Sequence, residues 1–218
     1  MARSSNVSMA VIRRLPRYYR FLDELLKNGV VRISSNELSS LLGLTASQIR
    51  QDLNCFGGFG QQGYGYLVEQ LHDEIGKILG LSEITDAILV GAGNLGRAVA
   101  NHLDFGKRGF RLSAVFDHSP AIIGKTVKDQ QVRSMDELEE FCNKHHPKLA
   151  VLCIPKGAAA ELVDRLKALD IFAFWNFSHY DIGVHYPGLA VENVHLGDSL
   201  MTLCYSMQDL ENRGEKEE

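Results

Sequence analysis

Residues 87–96 read Ala-Ile-Leu-Val-Gly-Ala-Gly-Asn-Leu-Gly, an apolar run that leads directly into the glycine pattern G-x-G-x-x-G. A lone match to so short a pattern is weak. Here an apolar strand is predicted before it and a helix over residues 95–103 after it, the context in which the pattern binds a dinucleotide. Gly91 would permit the tight turn, Gly93 the approach of a pyrophosphate to the helix N-terminus, and Gly96 close helix–strand packing. The candidate nucleotide contacts in this loop are Gly91, Ala92, Gly93, Asn94, Leu95 and Gly96.

A second predicted strand, residues 112–116, ends in Asp117, twenty-one residues after Gly96. An acid at this position accepts hydrogen bonds from the adenosine ribose hydroxyls and repels a 2′-phosphate, so NAD(H) is predicted rather than NADP(H). His118 qualifies that preference, because it could carry positive charge nearby. The alternative is that Asp117 is only a turn residue at the end of a strand.

Further apolar strands are predicted at residues 149–154, 172–175 and 189–194, with helices at 134–144 and 158–169 between them. Strands that alternate with helices predict a parallel, doubly wound sheet of the Rossmann type over residues 83–195. Strand ends are expected to meet at the glycine loop, which adds Ile154, Pro155 and Asn176 as candidate contacts; Asn176 is equally well interpreted as a turn residue. The pair His145-His146 lacks a third ligand at suitable spacing, so a solvated helix end is favoured and no metal site is predicted.

The first third of the chain predicts three helices. One covers residues 17–28, Ser34-x-x-Glu37 forms a capping box that opens a second to Leu42, and Thr45-x-x-Gln48 caps a third to about residue 55. A three-residue turn with a glycine between the last two is helix-turn-helix spacing, over residues 17–56.

On the third helix the apolar residues Ile49 and Leu53 are expected to face the core, and short or forked polar side chains then face away. Such side chains read base edges or bind phosphates. The candidate DNA contacts on this helix are Thr45, Ser47, Arg50, Gln51 and Asn54. The alternative is a polar exterior without a ligand.

Residues 57–66 read GGFGQQGYGY, in which glycine alternates with aromatic and amide residues. This pattern predicts a β-hairpin, the wing of a winged helix, with Gln61, Gln62 and Tyr64 as further candidate DNA contacts. A flexible linker is the alternative, but three aromatic residues favour a packed hairpin. A helix over residues 67–79 then completes a DNA-binding domain over residues 1–82.

Charge and composition agree with this division. Residues 1–66 carry eight Lys/Arg against four Asp/Glu, a balance of +4, whereas the net charge of the chain is −4. A basic head on an acidic body suggests that the head binds a polyanion. Four scattered cysteines without a C-x-x-C pair suggest neither a disulfide framework nor a zinc site. Apolar runs are too short to cross a membrane and no secretory leader is evident, so a cytoplasmic protein is expected.

The last predicted helix begins at Asp198 and is apolar on more than one face. Residues 196–210 are therefore expected to form a dimerisation helix that a second subunit covers, and the charged residues 211–218 are expected to be disordered.

Both halves together closely resemble the Rex family of redox-sensing repressors, up to about residue 208. The matching stretches are residues 14–20 (RLPRYYR), 33–35, 48–53 (QIRQDL), 56–57, 63–66 (GYGY), 78–80, 91–96, 176–177 and 191–194. The resemblance implies a homodimer with domain-swapped C-terminal helices that binds double-stranded operator DNA when free or holding NAD⁺ and is released by NADH. Arg14, in the first of these stretches, joins the candidate DNA contacts.

The chain departs from the family pattern at four places. His102 stands where the family often has Tyr, and His195 where it has an Asp that exchanges between that Tyr and an Arg, here Arg20. Leu196 replaces a Phe that enters the partner's nicotinamide pocket, and the wing tip Gln61-Gln62 lacks the usual basic residue. These departures suggest an altered or weakened response to NADH, with adenosine and pyrophosphate binding retained.

Parts of the sequence are also compatible with two other functions. A small NAD-dependent dehydrogenase is disfavoured because residues 83–195 leave no room for a substrate domain and no set of side chains suited to proton transfer. The other is a DNA-binding protein that uses its Rossmann domain only for dimerisation or for a different nucleotide.

Overall fold

A computed structural model describes residues 7–61 and 64–214. The chain divides into two compact units between Glu83 and Ile84. The winged-helix and Rossmann-type architectures predicted from the sequence are both present.

The described residues of the first unit form five helices and a small antiparallel sheet with the strand order β1-β3-β2. In chain order its elements are α1 (Met9–Ile12), α2 (Leu15–Lys27), β1 (Arg32–Ile33), α3 (Ser35–Leu42), α4 (Ala46–Asn54), β2 (Gly60–Gln61), β3 (Gly65–Leu67) and α5 (Val68–Ile78). Helix α1 was not predicted from the sequence, and the residues of β1 were predicted only as part of an extended link. That link becomes a strand because its backbone pairs with β3, Ile33 opposite Tyr66.

Capping residues set the helix-turn-helix. Ser34 Oγ accepts a hydrogen bond from the Glu37 amide at 3.1 Å, and the Glu37 carboxylate accepts one from the Ser34 amide at 2.7 Å, a complete capping box. Gly43 ends α3 in the left-handed conformation, with φ of +61°, and Thr45 Oγ1 caps α4. The predicted caps at Ser34 and Thr45 and the predicted break at Gly43 are therefore confirmed. Together they set the turn through which the chain passes from α3 to α4.

The second unit is built on a seven-stranded sheet with the strand order β10-β9-β8-β4-β5-β7-β6. Its strands are β4 (Thr85–Val90), β5 (Phe110–Asp117), β6 (Thr126–Val127), β7 (Gln130–Ser134), β8 (Leu149–Leu152), β9 (Ala173–Asn176) and β10 (Ala190–Asn193). Its helices are α6 (Asn94–His102), α7 (Leu138–His145), α8 (Lys156–Ala168), α9 (Ile182–His185) and α10 (Leu196–Gly214), with 3₁₀ turns at Gly106–Arg108 and Met135–Glu137. All pairings are parallel except that of β6 with β7.

The six parallel strands follow the order of a dinucleotide-binding sheet. In such a sheet the first three strands are added toward one edge and the next three toward the other, so the strand order reverses between the first and the fourth strand. Here those strands are β4 and β8, so the turns after Val90 and Leu152 open at the same edge of the sheet. The β6–β7 hairpin and α9 were not predicted. In β7 only Val132 is buried, so the apolar signal that would mark a strand is absent.

The C-terminal helix differs from the expected one at both ends. It begins at Leu196 rather than Asp198, and it continues through residues 211–214, which were predicted to be disordered. An ion pair one turn apart, Arg213 Nη2 to Asp209 Oδ2 at 2.7 Å, supports this last turn. Residues 215–218 lie outside the described part of the chain. Among the described helices none is long and apolar enough to span a membrane.

We predict that Gly96→Ala destabilises the second unit by about 2 kcal/mol or more, because its Cβ would collide with the carbonyl oxygen of Gly91 and the backbone there has no room to shift. Thermal unfolding followed by circular dichroism measures the change. Gly157→Ala is the matched control: its Cβ meets nothing within 4 Å on helix α8, so stability should stay equal or rise slightly. Equal melting temperatures for both variants would contradict the packing described.

Candidate nucleotide cleft and DNA-reading surface

The turn after β4 has the backbone that the glycine pattern predicts. Gly91 has φ of +97°, and its amide donates to the carbonyl of Phe116 at 2.9 Å. A Cβ on Gly91 would collide with the carbonyl of Cys153, and one on Gly96 with the carbonyl of Gly91. Glycine is therefore required at both positions for strand β4, strand β8 and helix α6 to meet.

Gly93 is a different case, because a Cβ there would meet no protein atom within 4 Å. Gly93 is the N-cap of α6 and offers no side-chain cap, so the first amides of α6, those of Asn94 and Leu95, remain available to an anion. The space above Gly93 is thus open on the side from which a pyrophosphate would approach.

Asp117 lies at the tip of β5 and is almost completely buried. Its Oδ2 accepts a hydrogen bond from the Ala92 amide at 2.6 Å, and its Oδ1 accepts one from the Ser119 amide at 2.8 Å. The carboxylate therefore joins the glycine loop to the next strand while keeping lone pairs for a ligand hydroxyl. The exposed ring of His118 lies 3.5 Å from Asp117 Oδ1.

A cavity of about 240 Å³ opens between these elements. Four residues predicted from the sequence line it: Gly91, Asp117, His118 and Ile154. Six others were not predicted: Val90, Met135, Ala158, Glu161, Leu162 and Arg165. Most of these come from α8 and from the turn after β7, whose side chains approach the loop only once the sheet is formed.

Pro155 and Asn176 follow strands β8 and β9 but differ in setting. Pro155 is exposed at the N-cap of α8. Asn176 is fully buried; its Nδ2 donates to the Tyr180 carbonyl at 2.6 Å and to Asn193 Oδ1 at 2.8 Å, and its Oδ1 accepts from the Ser178 amide and hydroxyl. Its amide organises the turn after β9, which was the alternative interpretation.

The outer face of α4 has the composition that was predicted. Ile49 and Leu53 are buried, and the five candidate contacts Thr45, Ser47, Arg50, Gln51 and Asn54 are exposed. Arg50 Nη1 donates to Ser35 Oγ at 2.8 Å, so this guanidinium is held beside the start of α3. These residues form one polar surface, which we call the reading face.

The two strands of the predicted wing, β2 and β3, pair antiparallel. Gly65 has φ of +69°, and a Cβ there would lie 2.5 Å from the carbonyl oxygen of Ile33, so no other residue fits. Tyr64 is exposed, and Arg32 Nη1 donates to its carbonyl at 3.3 Å. Arg32 is a cation at the base of the wing that the sequence analysis did not select. Gln61 pairs with Gly65 through its backbone, and Gln62 lies outside the described residues.

Arg14 occupies a position that the sequence did not predict. Its Nε and Nη2 donate to the two carboxylate oxygens of Asp52 at 2.6 and 2.7 Å. Tyr18 donates its hydroxyl to the same carboxylate at 2.6 Å and Gln48 its amide at 2.8 Å. Burial alone would raise the pKa of Asp52, but the three donors outweigh it and hold that pKa below its usual value. The signal in the sequence is an acid on the core-facing side of an amphipathic helix.

Two family models match the chain. One, described as "Putative DNA-binding protein N-terminus", covers residues 6–54. The other, described as "CoA binding domain", covers residues 82–180. The two matches fall on the two structural units in turn.

A curated protein of Clostridioides difficile (strain 630), the redox-sensing transcriptional repressor Rex, is 54% identical over 209 residues, 96% of this chain and 99% of the relative. The chain belongs to the Rex family. Solved structures agree with that assignment along almost the whole chain. A crystal structure of RSP in complex with β-NAD⁺ and operator DNA has a TM-score of 0.86 and 50% identity, and covers 97% of both chains. RSP in complex with β-NADH has a TM-score of 0.87 and 47% identity, and covers 97% of this chain and 99% of that one.

The four residues predicted to act in the switch or at the interface, Arg20, His102, His195 and Leu196, lie on helices or directly before one. Arg20 is exposed on α2, and His102 is exposed as the last residue of α6. His195 precedes α10; its Nδ1 lies 3.2 Å from Nδ1 of His179, and its Nε2 lies 3.8 Å from Asp181 Oδ1. Leu196, the first residue of α10, is exposed. Within the described residues no group of three or more His, Cys, Asp or Glu side chains is placed to hold a metal ion.

We predict that Asp52→Asn lowers the stability of the first unit at pH 6 and that its difference from the unmodified chain shrinks as the pH falls. The folded pKa of Asp52 lies below the unfolded value of about 3.9, so the contribution of its charge is complete above that value and is lost as the pH falls through the folded pKa. Hydrogen exchange of buried amides in α2 and α4 measures this. A difference that stays constant between pH 6 and pH 3 would show that the charge of Asp52 contributes nothing.

Proposed function

We propose that this chain is a DNA-binding transcriptional repressor that responds to the balance of NADH and NAD⁺. The observation that carries the proposal is that one chain has both an open glycine-loop cleft and a polar reading face. Over nearly its full length the chain also matches RSP, a Rex-family repressor crystallised with NAD⁺ and operator DNA and, separately, with NADH. The chain would bind its operator when free or holding NAD⁺, and NADH would release it.

The cleft suits NAD(H) as the regulatory ligand. The space over Gly93 and the free helix N-terminus favour a pyrophosphate, and the carboxylate of Asp117 favours a ribose 2′-hydroxyl over a 2′-phosphate. The residues that would hold the nucleotide are Gly91, Ala92, Gly93, Asn94, Leu95, Gly96, Asp117, His118, Ile154 and Pro155, with Asn176 fixing the turn beside them.

The reading face and the wing would bind duplex DNA. Arg50 is the residue best suited to guanine or to a phosphate, because a guanidinium donates two parallel hydrogen bonds. The other proposed contacts are Thr45, Ser47, Gln51, Asn54, Gln61, Gln62 and Tyr64. Because the proposed ligand is genomic DNA, we assign the protein to the cytoplasm. The curated relative is a repressor and not an enzyme, so we assign this chain no catalytic activity.

We infer a homodimer through swapped C-terminal helices. Helix α10 exposes seven apolar side chains: Leu196, Leu200, Met201, Leu203, Tyr205, Met207 and Leu210. A cavity of about 390 Å³, lined by Phe110, Trp175, Val191 and neighbouring residues, opens on the side of the sheet. An apolar helix of one subunit over the apolar cavity of the other would bury both surfaces, and it would pair two reading faces for two half-sites.

Release by NADH is a matter of linkage. NADH weakens DNA binding only to the extent that it binds the DNA-incompetent arrangement more tightly. A hundredfold preference corresponds to about 2.8 kcal/mol.

A second candidate is a repressor of the same class with a weaker NADH response. His195 stands where the family has an acid, and its ring faces His179 and Asp181. Arg20, exposed on α2, would then lack the carboxylate with which the family pattern pairs it.

The test is a binding assay on a duplex that the full-length protein selects from a random DNA library. We expect NADH to weaken binding of that duplex at least tenfold, and NAD⁺, NADPH and coenzyme A to leave it nearly unchanged. A response below tenfold would favour the second candidate. Failure to select any duplex, or a response to coenzyme A alone, would overturn the proposal.

Two variants separate the sites. A Cβ on Gly93 would meet no protein atom within 4 Å, so Gly93→Val should leave the fold intact while its side chain occupies the space proposed for the pyrophosphate and NADH loses its effect on DNA binding. Arg50→Ala should weaken operator binding by about 1–3 kcal/mol and leave NADH binding, measured by fluorescence, unchanged. If Arg50→Ala bound the operator normally, the assigned reading face would be wrong.

A further inference from the structure

Asp52 carries a buried negative charge in the first unit, although the proposed DNA binding uses only exposed side chains of that unit. The residue is 1% exposed and receives four hydrogen bonds, two from Arg14 and one each from Tyr18 and Gln48. A buried ion pair seldom stabilises a fold more than a well-packed apolar pair would, because both charges lose their hydration. Such a pair instead fixes the orientation of the elements that carry it, since each donor must point at one carboxylate.

The orientation concerned is that of helix α4. Gln48 and Asp52 lie one turn apart on α4, between the core-facing Ile49 and Leu53 and the outward-facing Gln51. The donors Arg14 and Tyr18 belong to the start of α2. A rotation of α4 about its own axis, which apolar packing alone would tolerate, would therefore break three hydrogen bonds to α2 at once.

We propose that Arg14 is a positioning residue for DNA recognition, which acts through Asp52 to fix the rotation of α4 and with it the reading face, rather than a direct phosphate contact. Tyr18 and Gln48 donate to the same Asp52 carboxylate and support this arrangement. This inference rests on the proposed DNA binding and revises the sequence-based expectation that Arg14 contacts DNA.

The state of the Arg14 guanidinium supports the assignment. Only 30% of the side chain is exposed, and two of its three nitrogens bond to Asp52. A phosphate would have to compete with a bidentate carboxylate held by two further donors, whereas Arg50 on the reading face shares its guanidinium with a single neutral hydroxyl.

Neutralising Asp52 provides a sharp test, because electrostatics alone predicts the opposite sign. Asp52→Asn removes one negative charge from a basic domain, which by itself would raise affinity for DNA. We expect operator affinity to fall at least tenfold instead, with affinity for random duplex unchanged or raised. Glu24→Gln, the matched control on the exposed side of α2, should leave operator affinity unchanged or slightly raised.

The apolar double variant Arg14→Met/Asp52→Leu guards against loss of folding. Its melting temperature should lie above that of either single variant, because neither charge is left buried without its partner, while its operator affinity should fall as far as that of either single variant and no further. The dependence of log affinity on log salt should keep its slope in Arg14→Met, since no phosphate contact is lost.

Three results would overturn the inference alone: normal operator affinity in Asp52→Asn, additive losses in the double variant, or a salt slope reduced by about 0.9 in Arg14→Met. If the unmodified chain selected no duplex at all, the proposed function would fail, and this inference would fail with it.

Discussion

The second unit depends on one backbone approach, in which helix α6 begins so close to strand β4 that a Cβ on Gly96 would collide with the carbonyl of Gly91. Because no side chain fits between them, the helix N-terminus is held over the end of the sheet. Strand β8 closes the same corner from the other side, through the carbonyl of Cys153 against Gly91. From this contact follow the position of the Asp117 carboxylate on the loop and the cleft beneath it.

Different interactions position the helices of the two units. In the second, close packing of glycines leaves an open space over Gly93, which a ligand can occupy. In the first, charge and hydrogen bonding direct a helix whose outer face must stay polar. Helix α10 has an ion pair in its last turn, but its large apolar side chains are exposed in the isolated chain. A second subunit that covered these side chains would stabilise the helix, and coupling between the proposed nucleotide and DNA sites would require two arrangements of the proposed dimer.

Much of this could be predicted from the sequence because its signals are local. The glycine pattern, the capping residues Ser34 and Thr45 and the apolar periodicity of α4 each act within a few residues, and the structure has them as predicted. What could not be predicted depends on contacts distant in sequence. Arg14 meets Asp52 thirty-eight residues away, and Arg165 reaches the cleft only when α8 packs on the sheet. The β6–β7 hairpin, largely polar, gave no periodic signal, and the last turn of α10 depends on one ion pair.

In the proposed mechanism, nucleotide and DNA bind to one molecule with opposed preferences. Calorimetric titration of NADH into the full-length protein, alone and saturated with its selected duplex, tests this most directly. Thermodynamic linkage requires reciprocity, so NADH should bind the DNA complex more weakly by the same factor by which it weakens DNA binding. An NADH affinity that is the same with and without the duplex would contradict the claim.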